Sequence, residues 1–222
     1  MMKIMKVFFV TFFFVAAGLA AVYAYNIVNN KETVENKAKN DNKTLTEDQK
    51  EKIRDIVTPK IQYDIEAMLY SLNADRVFIF EMHNGENNLS GLPFSFANMS
   101  YEEVNISRRV DKIYEKYVDV MLTQFKFPGY LHKNKFMIGT IDEIAKIDYD
   151  FARRAKEDGC SYMAVEYLNV NGKPLAFLGM SFHDRKNAPS DSTIREKFKE
   201  FSPVITELLD LKKQAEKMDK EK

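Results

Sequence analysis

Residues 161–182 read SYMAVEYLNVNGKPLAFLGMSF, two apolar, β-rich runs either side of Asn171-Gly172. An Asn-Gly pair suits a type I′ turn, where both central residues need positive φ. The stretch therefore predicts a hairpin of Ser161–Val170 with Lys173–Phe182. Val77–His83 (VFIFEMH) is a third such run, ended by Asn84-Gly85. Leu92–Val104 (LPFSFANMSYEEV) holds the strand that returns after the Gly-, Asn- and Ser-rich loop 84–91.

Helical signals surround these strands. Thr46 with Gln49 fits a capping box, and Ile53, Ile56, Val57, Ile61, Ile65, Met68, Leu69 and Leu72 recur at helical spacing. Pro59 is expected to kink or restart that helix. Val110, Ile113, Tyr114, Tyr117, Val118, Met121 and Leu122 form a second helical stripe, closed by Pro128-Gly129. Thr140 and Glu143 make another capping box. Asp148–Asp158 reads as a helix with Gly159 just past its end. Asp191 or Ser192 caps a terminal helix carrying Ile194, Phe198, Phe201, Val204, Ile205, Leu208 and Leu209, with a kink or break expected at Pro203. The order is helix, two strands, helices, two strands, helix. It implies an α+β domain with a small, mostly antiparallel sheet and helices against one face.

Composition narrows the function classes. The 222 residues carry 33 basic and 33 acidic side chains, which argues against a nucleic-acid-wrapping protein. At 13% aromatic content the chain has ample core material. One cysteine, Cys160, excludes an intrachain disulfide framework and a Cys-rich zinc site.

The zero net charge divides unevenly. Residues 1–30 hold Lys3 and Lys6 and no acid, leaving the remainder at −2. Val7–Tyr25 (VFFVTFFFVAAGLAAVYAY) is 19 residues without a charge. As a helix it spans roughly 28 Å, close to the hydrocarbon core of a bilayer. The chain thus divides into a cytoplasmic basic head (1–6), a transmembrane signal anchor (7–25), a polar tether (26–45), an extracytoplasmic α+β domain (46–211) and a charged, frayed tail (212–222). Basic residues before the span put the N-terminus in the cytoplasm. The competing reading is a secretory signal peptide cleaved after Val22-Tyr23-Ala24. Small residues Ala17, Gly18, Ala20, Ala21 and Ala24 lie in the second half of the span, a pattern that lets helices associate closely in lipid.

No GxSxG, HExxH, P-loop, GxGxxG or EF-hand pattern occurs. His83 with Glu81 closes one strand and His183-Asp184 another, so the two rims could converge if the strands were neighbours. The spacing carries no specificity, and no catalytic residue, metal ligand or cofactor is assigned. Glu102-Glu103 and Arg108-Arg109 read as solvated surface. Cys160 reads as a small packed residue, since nothing near it in sequence would depress its pKa. The loop beside the first strand is the expected partner or ligand surface: His83, Asn84, Asn87, Asn88, Leu89, Leu92 and Phe94, with His183.

A basic head, one apolar span, a polar tether and an outer α/β domain resemble the T-even-type bacteriophage holins. Ala74–Val104 carries the likeness in an Ala-Asp start, an aromatic strand and an Asn- and Leu-rich loop. Leu175–Leu209 carries it in LAFLGMSF, then His183-Asp184-Arg185 and a last helix. The resemblance implies a non-enzymatic lysis protein of the bacterial inner membrane. Val7–Tyr25 would meet membrane lipid, self-associate and form lesions, timed by an antiholin-like protein on the outer domain. The chain departs from that family in its short cytoplasmic head and single cysteine. The helix–strand order of the domain also resembles GAF- and PAS-like sensor folds, which implies a membrane-anchored ligand-binding module without its own output domain.

Overall fold

The structure, a computed structural model, describes residues 45–87 and 93–220. The head, the span with Ala17, Gly18, Ala20, Ala21 and Ala24, and the tether up to residue 44 lie outside these residues. So do Asn88, Leu89 and Leu92. Among the described residues no helix is long and apolar enough to cross a membrane.

Helix α1 (Glu47–Ser71) leads into β1 (Arg76–Asn87) and β2 (Pro93–Val104). Three 3₁₀ turns (Ile106–Arg108, Tyr114–Lys116 and Leu122–Gln124) and the short β3 (Val120–Met121) follow. Next come α2 (Phe127–Asn134), β4 (Phe136–Thr140), α3 (Ile141–Ala145) and α4 (Tyr149–Glu157). The hairpin β5 (Tyr162–Val170) and β6 (Lys173–Phe182) precedes α5 (Asp191–Leu209) and α6 (Leu211–Lys220).

Among the described residues the strands make one six-stranded sheet in the order β3-β2-β1-β6-β5-β4, antiparallel at every pairing. Val170 faces Lys173 across the hairpin, with Asn171 at φ 51° and Gly172 at φ 78°, the backbone a type I′ turn needs.

Helices cover both faces of this sheet rather than one. Along β1, Val77 and Ile79 are as buried as Phe78, which points the other way. Glu81 meets Arg54 of α1, Tyr101 of β2 meets Thr58 of α1, and Glu166 of β5 meets Ser202 of α5, so α1 and α5 lie on one side. Phe78, Met99, Met163, Val165 and Phe177 pack on the other side against α2–α4. A strand buried on both faces loses its polar alternation, as the unbroken runs VFIF and LAFLGM do, but such a run does not say which elements supply the second layer.

Local end signals hold well. Thr140 accepts from Glu143 N while Glu143 accepts from Thr140 N, completing the capping box of α3. Asp148 caps α4, and Gly159 follows its end at φ 80°. The cap of α5 is Ser190, one residue before the expected position.

Further expectations need correction. Of the expected kink or interruption, the interruption does not occur, since neither Pro59 nor Pro203 divides its helix. Each forfeits a backbone hydrogen bond, at roughly 3 kcal/mol. The buried stripes Ile53–Val57–Ile61–Ile65 and Ile194–Phe198–Ser202–Ile205 continue across them and outweigh the loss. The expected helix over 110–122 is instead irregular. Glu102 accepts the backbone N–H groups of Ile113 (2.8 Å) and Tyr114 (3.0 Å), and Asp119 adopts φ 51°. Residues 211–220 are helical rather than frayed, with Gln214 buried and donating to Glu207 O at 2.7 Å.

Candidate functional site

A half-open cavity of about 100 Å³ lies between the sheet, the irregular 110–126 segment and helices α2 and α4. Its floor is the sheet face carrying Arg76 and Phe78 of β1, Met163 and Val165 of β5, and Phe177 and Ser181 of β6. Register explains the grouping, since Arg76 pairs with Ser181, Phe78 with Gly179 and Phe80 with Phe177. A Cβ at Gly179 would stand 2.3 Å from the Phe78 ring, so the missing side chain makes room for that ring.

Aromatic rings wall the space. Phe80 meets Phe78 and Tyr117 edge-on at 5.6 and 5.5 Å, and Phe151 stacks on Phe127 at 4.3 Å. At the mouth the Arg154 guanidinium lies over Phe125 at 4.8 Å.

The wall opposite the sheet is held by buried carboxylates. Glu102 accepts Arg76 Nε at 2.7 Å as well as the Ile113 and Tyr114 amides, while Arg76 Nη2 donates to Asp111 O at 2.8 Å. Asp75 accepts Arg108 Nη1 (2.9 Å) and His183 N (2.8 Å). Asp148 accepts three amides, Lys126 and Phe127 at the start of α2 and Phe151 in α4. Glu102 is thus an internal strut and the half-buried Arg108 is tied to buried Asp75, a correction to the solvated surface expected from their paired spelling. A charged dipeptide looks solvated until a distant partner neutralises it.

Few polar groups face the space. The Tyr117 hydroxyl donates to Asp158, which also takes Lys116 Nζ at 3.0 Å. Burial, then the Asp158 hydrogen bond and charge, push the Tyr117 phenol well above its ordinary value. Cys160 is buried, its thiol donating to Tyr162 O at 3.4 Å, and burial pushes it up to about 12. It is the small packed residue expected, a neutral thiol at physiological pH. Ser181 is 2% exposed, and its hydroxyl has no partner.

The residues expected to form a ligand or partner surface stand elsewhere. His83, Asn84 and Asn87 of β1 pair with Phe96, Ser95 and Pro93 of β2, so that Phe94 lies in the same two-stranded extension. His83 stacks on Phe96 at 6.0 Å, its Nε2 3.4 Å from Asp119 Oδ1 without a hydrogen bond. His183 is not brought to this group. The strands are neighbours, but antiparallel pairing of Arg76 with Ser181 puts the two histidines at opposite ends, nine residues of β1 or roughly 30 Å apart. His183 instead lies against Gly159. Among the described residues no cluster of three or more His, Cys, Asp or Glu is placed to hold a metal ion.

Sequence reasoning passed over Ser181 and Arg76. Their signal was present, a lone hydroxyl inside LAFLGMSF and a cation directly before VFIF. Both are polar residues in apolar strands, which need a partner when buried.

No protein-family model and no curated protein matches the sequence. Solved structures do match the fold. The blue-light-absorbing form of the PixJ GAF domain from Thermosynechococcus elongatus is 9% identical, with 80% of this chain and 95% of that one covered at a TM-score of 0.55. Type II free methionine-R-sulfoxide reductase from Thermoplasma acidophilum is 10% identical, with 71% and 94% covered at 0.52. The cyanobacteriochrome receptor PixJ is 9% identical, with 72% and 99% covered at 0.52. At these identities the likeness is one of fold: residues 47–220 form an α+β domain with a GAF-like fold, an antiparallel sheet with flanking helices.

Proposed function

We infer that this protein is a membrane-anchored, GAF-like ligand-binding module whose activity is binding rather than catalysis. The observation that carries the reading is the half-open aromatic cavity on the sheet, with one unpartnered hydroxyl in its floor. An apolar concavity with few polar groups is the usual form of a small-molecule site. The neutral, buried Cys160 favours binding over thiol chemistry. Val7–Tyr25 anchors the module once in a bacterial inner membrane, N-terminus inside and domain outside. Ala17, Gly18, Ala20, Ala21 and Ala24 provide a face for self-association in lipid.

The test is ligand-dependent stability of the full chain in lipid nanodiscs against a chemically broad compound library. A compound binding only the folded state raises stability by about 2.7 kcal/mol at a hundred times its Kd. Stabilisation that disappears in Ala155→Trp, which fills the cavity, is the expected result. A library that leaves the melting temperature unmoved would sink the reading.

The fold comparisons lend no support to the T-even holin resemblance, which rests on sequence texture and on residues outside those described. Induced expression distinguishes the two functions. A tethered module leaves membrane potential steady, whereas a lesion-forming protein collapses it abruptly after a delay.

A further inference from the structure

We propose that the cavity takes a compact, uncharged, largely apolar molecule of about benzene size bearing a single hydroxyl-type group, which hydrogen-bonds to Ser181. The inference rests on the cavity-binding reading above and specifies its ligand.

Size sets the first limit. A dry cavity of about 150 Å³ lined by Leu, Ile and Phe holds benzene. This cavity, at about 100 Å³ and open on one side, holds a single ring whose substituents reach the mouth. Ring faces and edges of Phe78, Phe80, Phe127 and Phe177 favour an aromatic or similarly flat occupant.

Charge sets the second. Of the ionic groups that line the cavity, Arg76 is neutralised by Glu102 at 2.7 Å and Asp158 by Lys116 at 3.0 Å together with the Tyr117 hydroxyl, while Arg154 stands over the Phe125 ring at the mouth. A ligand carboxylate, phosphate or ammonium placed in the floor would leave water and meet no uncompensated partner there, and Arg154, exposed at the mouth, keeps its hydration, so water screens its charge.

Ser181 supplies the specificity. Native proteins rarely leave a buried hydroxyl unpaired. Its backbone is committed to the sheet and to Asp75 N, which donates to Ser181 O at 3.1 Å, so only the side chain is left to bond. A hydroxyl can donate or accept, which matches a phenol-like or alcohol-like group rather than a pure hydrocarbon.

The experiment uses full-length protein with ¹³C-methyl methionine in lipid nanodiscs, titrated separately with phenol, benzene, benzoate and benzylamine. Met99 and Met163 line the cavity and report its occupancy. Phenol should shift both methyls and benzene more weakly, while benzoate and protonated benzylamine leave them unmoved. Ser181→Ala should lower phenol affinity about tenfold, to that of benzene. The same change should leave the melting temperature of the free protein level or raised, because it removes an unsatisfied polar group. Tighter binding of benzoate or benzylamine, or a phenol affinity indifferent to Ser181→Ala, overturns the ligand class and leaves the cavity reading standing. If none of the four moves Met99 or Met163 but a larger library compound does, the class again falls alone. If nothing in the library moves them, both fall.

Discussion

Arg76 Nε lies 2.7 Å from Glu102 Oε1, and their side chains are 4% and 1% exposed. The two sit on neighbouring strands, on the cavity face, since Phe78 pairs with Glu102 and Arg76 with Val104. Glu102 also accepts two amides from the segment that roofs the cavity, so one carboxylate joins floor to roof. Removing one partner strands a buried charge. Arg76→Met should destabilise the domain by about 3–5 kcal/mol. Arg76→Met with Glu102→Gln should cost less than Arg76→Met alone, because glutamine keeps an acceptor for Ile113 and Tyr114 without the charge. Urea unfolding of both variants, followed by circular dichroism, checks the order.

Gly179→Ala should destabilise by about 1–3 kcal/mol, the usual range for overpacking. The added methyl would start 2.3 Å from the Phe78 ring, which can escape only by moving into the cavity. The variant should therefore also lose the methyl shifts of Met99 and Met163 on adding phenol, a result visible in the same titration.

Asp148 caps two helices at once through three amides. Asp148→Ala should cost roughly 2–4 kcal/mol, against about 1 kcal/mol for Thr140→Ala at a single cap. Comparable losses from the two substitutions in thermal melts would contradict the double role.

Burial raises the Glu166 carboxyl above its ordinary value, opposed by the hydrogen bond it accepts from Ser202. The folded protein then keeps that proton over a range where the unfolded chain has lost it. Stability from this group declines as pH climbs from the ordinary glutamate value through the raised one, and is level beyond both. Glu166→Gln retains an acceptor for Ser202 and should flatten that part of the pH profile, raising the melting temperature at neutral pH relative to the parent. Melts between pH 4 and 8 decide it.

The local signals were legible where residues within one turn settle the conformation. Asn171-Gly172, Thr140 with Glu143, and Gly159 each behave as their chemistry dictates, because the atoms that satisfy them are a few bonds away. Residues 110–122 show the opposite case. Their apolar spacing fits a helix, but the Ile113 and Tyr114 amides bond to a carboxylate 11 and 12 residues back. The histidines at 83 and 183 failed to meet for a reason periodicity cannot express, the direction in which β6 pairs with β1.

The amino-acid sequence by itself determined an α+β chain, its central hairpin, the capped start of α3, both ends of α4 and a charge-free 19-residue segment behind two lysines. These follow from backbone φ preferences, capping and hydropathy, all short-range properties. Only the tertiary structure decided that helices cover both faces of the sheet, that Glu102 is buried, and that Ser181 ends in an aromatic cavity without a partner. Those outcomes depend on contacts such as Arg76 with Glu102, 26 residues apart. Desolvation is set by everything packed around a side chain, and its sequence neighbours are a small part of that surrounding.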